Sequence, residues 1–330
     1  MAKRKSKKRA KKRLQKTVIT LLLAVILAVL GYFFKDELPL DFGDGPAGTL
    51  GGQIASIPAI TDPNYLSVHY IDVGQGDSIF LACGGEYMLI DAGETDSDNT
   101  VIHYLNDLNI ERLDLVVATH GDSDHIGEMD DVLNAVPADV VWYPDYNHGT
   151  KTEASFLTAI ENCGASLYHP ELGETYNLGG ATVTVLGPVA EYDEPNDMSI
   201  VVLVQFGDDR FLFTGDMENT DGAETDLLEY WGDDALKADV LKVGHHGSST
   251  STSYRFLRAV APAYAVISAG ENNKHKHPHK ETLDILGQAE VYVYRTDYMG
   301  TVIAVSDGNG ISFGWTKGDA TPYIPEAKAE

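Results

Sequence analysis

The sequence predicts a mixed α/β domain, two sheets sandwiched between helices, carried on a single N-terminal membrane span. Strands and helices alternate between about residues 65 and 315, with short apolar strands gathered at both ends of that stretch. An uncharged run rich in Leu, Val, Ile and Ala fills 17–34, directly after a basic segment. An apolar strand at 113–119 runs straight into His120-Gly121-Asp122-Ser123-Asp124-His125, and a strand end aims successive side chains out of a sheet edge into one loop.

The N-terminal run comes first. Eighteen residues of helix over 17–34 rise about 27 Å, slightly short of a hydrocarbon core of roughly 30 Å. Lys16 and Lys35 can snorkel at the two ends, and Tyr32, Phe33 and Phe34 suit the interface. Ten of the first sixteen residues are Lys or Arg, and positive charge before a span predicts a cytoplasmic segment at 1–16, an anchor at 17–34 and an exported body. A cleaved signal peptide is the competing reading. No small-x-small site follows the apolar run, and the basic segment is long for a signal. Gly, Pro and Asp at 35–64 read as a flexible linker, 65–316 as the folded domain and 317–330 as a frayed tail.

Strands are expected at 66–72, 78–83, 87–91 and 113–119, then at 182–186, 199–206, 210–214, 240–243 and 264–268, and finally at 291–294, 301–306 and 311–315. Helical spacing appears at 100–108, 126–136, 153–162 and 223–231. Cys83 and Cys163 are the only cysteines; they can pair or can be buried small hydrophobes, and their spacing suggests no thiolate metal site.

The chain carries 24 basic and 50 acidic residues, a net of −26. Without its first sixteen residues it has 24 − 10 = 14 basic residues against all 50 acidic ones, a net of −36. Such a surface repels polyanions and argues mildly against tight nucleic-acid binding. It does not exclude hydrolysis of a phosphodiester, because bound divalent cations reverse the local sign.

His120, Asp122, Asp124 and His125 place four potential ligands within six residues, imidazole and carboxylate together, enough to share between two ions. A solvated surface loop explains one or two such residues, rarely four immediately after a buried strand. The segment resembles the HxHxDH signature of the metallo-β-lactamase superfamily, with Asp122 where the second His normally stands. That variant, with Ile71 to Ser78 (IDVGQGDS), Leu89 to Gly93 (LIDAG), Phe213 to Asp216 (FTGD), Leu241 to Ser248 (LKVGHHGS) and Asn273 to Pro278, resembles the extracytoplasmic hydrolase domain of the ComEC competence family. The matches run in order from about residue 66 to 306. The family's multispanning channel region is not in this sequence, so the resemblance is to a stand-alone, membrane-anchored relative.

The resemblance implies an αββα metallo-β-lactamase sandwich holding two divalent ions, Zn or Mn. It assigns His120 and Asp122 to the first metal, Asp124 and His125 to the second, Asp216 as a bridge and His245 to complete the second site. His246 is the fallback, because adjacent histidines cannot both point inward from an extended strand end. Asp91 is expected to hold a ligand rather than be one, and Asp77 to tie loops together. The superfamily's further first-site His is missing from Pro195 to Ser199, and fewer imidazoles shift preference toward harder ions such as Mn²⁺. His277 matches the family's His-Pro and is expected to face the active site, with His275 and His279 solvated. Asp124, His277 and Lys242 are the catalytic candidates, Lys242 either as a phosphate contact or as an ordinary strand lysine. His69, His103, His148 and His169 read as scaffold or surface. The implied activity is metal-assisted hydrolysis of a phosphodiester, with DNA as the expected substrate. The rivals are a wall polymer such as a teichoic-acid phosphorylcholine ester, and a non-catalytic binding module of the same fold.

Overall fold

The computed structural model describes residues 60–95, 98–317 and 320–326. β1 (Leu66–Tyr70), β2 (Ile79–Cys83) and β3 (Glu86–Ile90) form an antiparallel meander. The chain then crosses through α1 (Thr100–Asp107) to β4 (Leu113–Val117), through α2 (Ser123–Ile126) and α3 (Met129–Ala135) to β5 (Ala138–Trp142), and through α4 (Lys151–Cys163) to β6 (Ser166–Tyr168). From β4 to β6 each strand runs parallel to the one before. The second half repeats the plan. β7 (Thr175–Leu178), β8 (Ala181–Gly187), β9 (Val201–Phe206) and β10 (Asp209–Phe213) are antiparallel neighbours. Then α5 (Ala223–Trp231), α6 (Asp233–Leu236), α7 (Tyr254–Val260) and α8 (Lys280–Gln288) connect the parallel strands β11 (Val240–Lys242), β12 (Tyr264–Ile267) and β13 (Tyr292–Arg295). After α9 (Thr296–Met299), β14 (Val302–Ser306) and β15 (Ile311–Trp315) return to the first sheet, where β14 pairs with β1.

Side-chain alternation along these strands builds the layers. Phe80, Ala82, Leu89, Val116 and Val141 point outward, onto Tyr104, Leu105, Val132, Leu133 and Phe156 of the covering helices. Their neighbours Ile79, Leu81, Met88, Ile90, Leu115 and Val117 point inward and meet Val183, Val185, Val202, Phe211 and Phe213 of the second sheet. On the far side Leu203, Leu212, Leu241, Ala265 and Val293 pack against Leu227, Phe256, Leu257 and Leu286. Strands buried on both faces read as unbroken apolar runs, which is why the sequence exposes them.

The order is helix, sheet, sheet, helix, the expected mixed α/β sandwich. Some expectations change. The helix expected over 126–136 is interrupted between Ile126 and Met129. The linker's last residues are not free, because Ile60 is buried in the outer core. Nor is the tail wholly frayed: Val293 donates to Tyr323 O at 2.8 Å and Arg295 Nη1 to the Tyr323 hydroxyl at 3.3 Å. Cys83 and Cys163 are both free thiols. The span expected at 17–34 lies outside the described residues, among which no helix is long and apolar enough to cross a membrane.

Glu224 ties α5 to the segment after β11, accepting the backbone N–H groups of Thr252 and, at 3.0 Å, Ser253. Burial raises its carboxyl to about 7, against those hydrogen bonds, which lower it. A carboxyl raised above its unfolded value adds stability that is complete below the unfolded pKa and is lost as pH rises through the folded one. Glu224→Gln does not titrate. Its urea-unfolding stability relative to wild type should therefore improve by about 2–3 kcal/mol from pH 5 to pH 8. A gap between the two proteins that is flat with pH would show Glu224 ionised at an ordinary pKa.

Candidate metal centre

The candidate residues meet where both sheets present the C-terminal ends of parallel strands, the usual place for a site in such sheets. Asp91 directly follows β3, His120 lies just beyond β4, Asp216 beyond β10 and the His245-His246 pair beyond β11. After β4 the chain turns at Asp122, which starts α2 without spending its side chain on a capping bond. That single helical turn sends Asp124 toward the second sheet and buries His125. Gly76, in the β1–β2 loop, has φ +142, and a Cβ there would overlap the Asp124 carbonyl. The loop is thus pressed onto α2, and Asp77 N donates to the Asp124 carbonyl at 3.1 Å.

Asp124, His125, Asp216 and His246 bring four ligand atoms within 4.8 Å of one another. His125 Nε2 is 3.1 Å from Asp216 Oδ1, and His246 Nε2 is 3.3 Å from Asp124 Oδ2 and 3.5 Å from Asp216 Oδ2. His120 adjoins the group, its ring centroid 4.2 Å from that of His125 and its Nε2 3.7 Å from Asp122 Oδ2. The Nε2 atoms of His120, His125 and His246 and Asp216 Oδ1 are all buried without a well-formed hydrogen bond. An unsatisfied buried polar atom costs about 1–3 kcal/mol, so several converging on one point fit a divalent cation. This N/O donor set suits Zn²⁺ or Mn²⁺.

Each imidazole is held from behind. Asp91 Oδ2 lies 2.8 Å from His125 Nδ1, while the same carboxylate accepts Thr119 N at 2.8 Å and the Thr119 hydroxyl at 2.7 Å. Asp77 Oδ1 lies 3.3 Å from His246 Nδ1 and its Oδ2 2.9 Å from Lys242 Nζ. A carboxylate behind an imidazole fixes the tautomer and turns Nε2 toward a ligand. Burial opposes the charge on Asp77, but Lys242 and His246 outweigh it and hold the carboxyl well below the ordinary range. Burial likewise opposes protonation of His125 and His246, and the surrounding carboxylates, Asp216 foremost, raise both well above the ordinary histidine value.

His245 and His246 both adopt left-handed backbone, φ 48 and φ 53. The expectation that only one of the pair faces inward assumed an extended strand end, and the left-handed turn removes that premise. His246 enters the cluster. His245 stands beside it, Nε2 3.6 Å from Asp216 Oδ2 and Nδ1 2.7 Å from Glu218 Oε1. His277 overhangs both, its ring 5.5 Å from His245 and 6.2 Å from His246, clamped through its backbone by Asn273. Burial, then the neighbouring imidazoles, lowers His277 to about 4. His275 is exposed and His279 half-buried.

The structure does not bring Lys242 to the cleft. It is 1% exposed, and besides Asp77 its Nζ contacts its neighbour's carbonyl, Val243 O, at 2.9 Å. Sequence reasoning passed over Ser199, whose hydroxyl accepts Asp216 N at 3.1 Å and lies 3.4 Å from His120 Nδ1. It also passed over Glu218. Neither stands in a recognisable motif, and only their proximity marks them.

Two outcomes follow. Lys242→Met strands the Asp77 carboxylate, so it should lower unfolding stability by about 3–5 kcal/mol; an unchanged urea midpoint would return the lysine to the surface. Asp216→Ala should abolish the rise in melting temperature that Mn²⁺ gives the EDTA-treated protein. A full rise in that variant would remove Asp216 from the ligand set.

Residues 71–271 match the family model described as the metallo-beta-lactamase superfamily. The chain is 32% identical over 254 residues to ComE operon protein 3 of Bacillus subtilis, aligned over 71% of this chain and 32% of that protein. It is 30% identical over 255 residues to competence protein ComA of Neisseria gonorrhoeae, over 77% of this chain and 34% of that one. It thus spans about a third of the length of these curated relatives. Among solved structures, CmlA, a diiron beta-hydroxylase from Streptomyces venezuelae, superposes with TM-score 0.50 at 16% identity, covering 70% of this chain and 52% of that one. That likeness is one of fold. The chain belongs to the metallo-β-lactamase superfamily of metal-dependent hydrolases, with a domain homologous to that of the ComEC competence proteins.

Proposed function

We propose that the chain is a metal-dependent phosphodiesterase acting on DNA outside the cytoplasm. The observation that carries this reading is the convergence of Asp124 with buried His125, Asp216 and His246, and with His120 and the half-exposed Asp122 alongside. Similarity to a competence protein of Neisseria gonorrhoeae and to a recombination protein of Haemophilus influenzae, each at 30% identity, supports DNA as the substrate. Asp124, His125, Asp216 and His246 would hold one ion, and His120 and Asp122 a second that shares Asp216. Carboxylates make up half of that set, which favours Mn²⁺ over Zn²⁺. When bound, such a pair supplies hydroxide at neutral pH and neutralises charge developing on the phosphoryl group.

The protein's own part is placement. Asp91 and Asp77 keep Nε2 of His125 and His246 aimed at the cluster. His277, with one buried ring nitrogen unpaired, stands beside His245 and His246 and would offer the scissile group a hydrogen bond. The basic segment and apolar run at 1–34 support a cytoplasmic N-terminus and an exported body. The acidic body supports a second reading, a wall-polymer diester made zwitterionic by choline, such as a teichoic-acid phosphorylcholine ester.

Mn²⁺-loaded protein should cleave bis-p-nitrophenyl phosphate and plasmid or single-stranded DNA, and Asp124→Ala should not. Because the body is short of Lys and Arg, DNA cleavage should have a weak KM and be insensitive to moderate monovalent salt, unlike binding through many phosphate contacts. His277→Ala should lower kcat by roughly 10²–10⁴. Cleavage of choline-bearing polymer but not DNA would replace the first reading by the second, and no hydrolysis with Mn²⁺ or Zn²⁺ would leave a binding module.

A further inference from the structure

Asp122 is 38% exposed and stands at the head of a single helical turn with no capping bond. Left alone, so short and open a carboxylate would sample several rotamers and present either oxygen to an ion. The β5–α4 connection restrains it. His148 Nε2 lies 3.0 Å from Asp122 Oδ1, while Oδ2 faces His120 Nε2 at 3.7 Å. One oxygen is therefore taken from outside the site and the other is turned into it.

The connection is built to hold this contact. Buried Glu153, in the first turn of α4, accepts the Tyr143 hydroxyl at 2.8 Å and His148 N at 3.0 Å on Oε1, and Gly149 N at 2.7 Å on Oε2. Thr150 caps the same helix by accepting Glu153 N at 3.1 Å. The backbone at His148 is thus fixed by a carboxylate that is 4% exposed, an expensive group to bury for a loop without a task. Gly121 completes the arrangement. A Cβ at that position would come within 2.7 Å of His148 Cβ and 2.8 Å of the Tyr143 hydroxyl, so a glycine inside the His-Asp loop makes room for a histidine outside it.

We infer that His148 is a positioning residue for the metal centre, donating a hydrogen bond from Nε2 to Asp122 Oδ1 so that Oδ2 faces the ion held with His120. The inference rests on the reading of His120 and Asp122 as ligands, and not on the identity of the substrate. Partners that orient a ligand in this way are worth 10- to 100-fold in metal affinity.

The test titrates the metal-free full-length protein with Mn²⁺ alone by calorimetry and records metal-free melting temperatures beside it. His148→Leu keeps bulk over Gly121 but has no donor, while His148→Gln keeps an amide N–H. The leucine variant should bind one ion 10- to 100-fold more weakly and melt, metal-free, near wild type; the glutamine variant should recover most of the affinity. Asp122→Ala should lose the same ion. If Asp122→Ala loses an ion and His148→Leu binds normally, the positioning role is overturned and the ligand reading stands. Equal weakening in Leu and Gln also overturns it, since the hydrogen bond would then not matter. Unaltered binding in Asp122→Ala overturns it together with the ligand reading.

Discussion

Burying Asp216 is the constraint around which the site is arranged. A carboxylate with almost no exposure is tolerated only when opposite charge and hydrogen-bond donors surround it. Here His125, His245 and His246 approach its two oxygens, and Asp216 N is anchored on the Ser199 hydroxyl. Those imidazoles must in turn be held, which brings in Asp91 and Asp77, and Asp77 then needs Lys242. Charge alternates outward from Asp216 through imidazole, carboxylate and ammonium until the last group reaches the inter-sheet core. Removing a member anywhere along this chain strands a charge at the next one. Lys242, a catalytic candidate on sequence grounds, belongs to the end of the chain farthest from substrate.

The left-handed pair His245-His246 shows what the arrangement costs the backbone. Non-glycine residues in that region are unfavourable by about 1–3 kcal/mol each, and these two are consecutive. The turn lets neighbouring imidazoles reach the same carboxylate, which an extended strand end would forbid. The strain is offset locally by the hydrogen bond of His246 to the Ser268 carbonyl, by its ion pair with Asp77, and by the ion pair of His245 with Glu218. Two left-handed residues in succession are therefore the cost of placing both rings on Asp216.

Much of this was legible in the sequence, for a physical reason. The strand at 113–119, like β9 to β12, is buried on both faces and so stands out as an apolar run, and the His-Asp loop follows it directly. β5 was missed because Asp139 interrupts its apolar pattern, a charge that Arg112 accepts in an ion pair. β6 and β7 lie at the far edges of their sheets; each is short and largely exposed, so neither shows a buried face as an alternating pattern. The site was legible as a set of residue types and not as a geometry. Which of two adjacent histidines enters the cluster depends on a backbone turn, and the burial of Lys242 depends on an aspartate far away along the chain. His148 looked like a loop histidine because its partner is supplied by folding and not by spacing.

The two sheets contribute unequally and neither suffices. His120, Asp122, Asp124 and His125 come from the end of β4 in the first sheet, whereas Asp216 follows β10 and His246 follows β11 in the second. The donors meet only when the inner faces dock through Leu115, Val117, Phe211, Phe213 and their neighbours. A direct strut crosses at the same level, where Ile200 N donates to the Thr119 carbonyl at 2.9 Å. Metal affinity and inter-sheet packing are therefore two readings of one equilibrium. An ion binding across the seam favours only the docked arrangement, so its binding free energy appears as folding stability. Conversely, loosening the inter-sheet core would draw Asp124 and His125 away from Asp216 and His246. The fold thus makes ligand geometry depend on the most buried part of the protein, the seam between its two sheets.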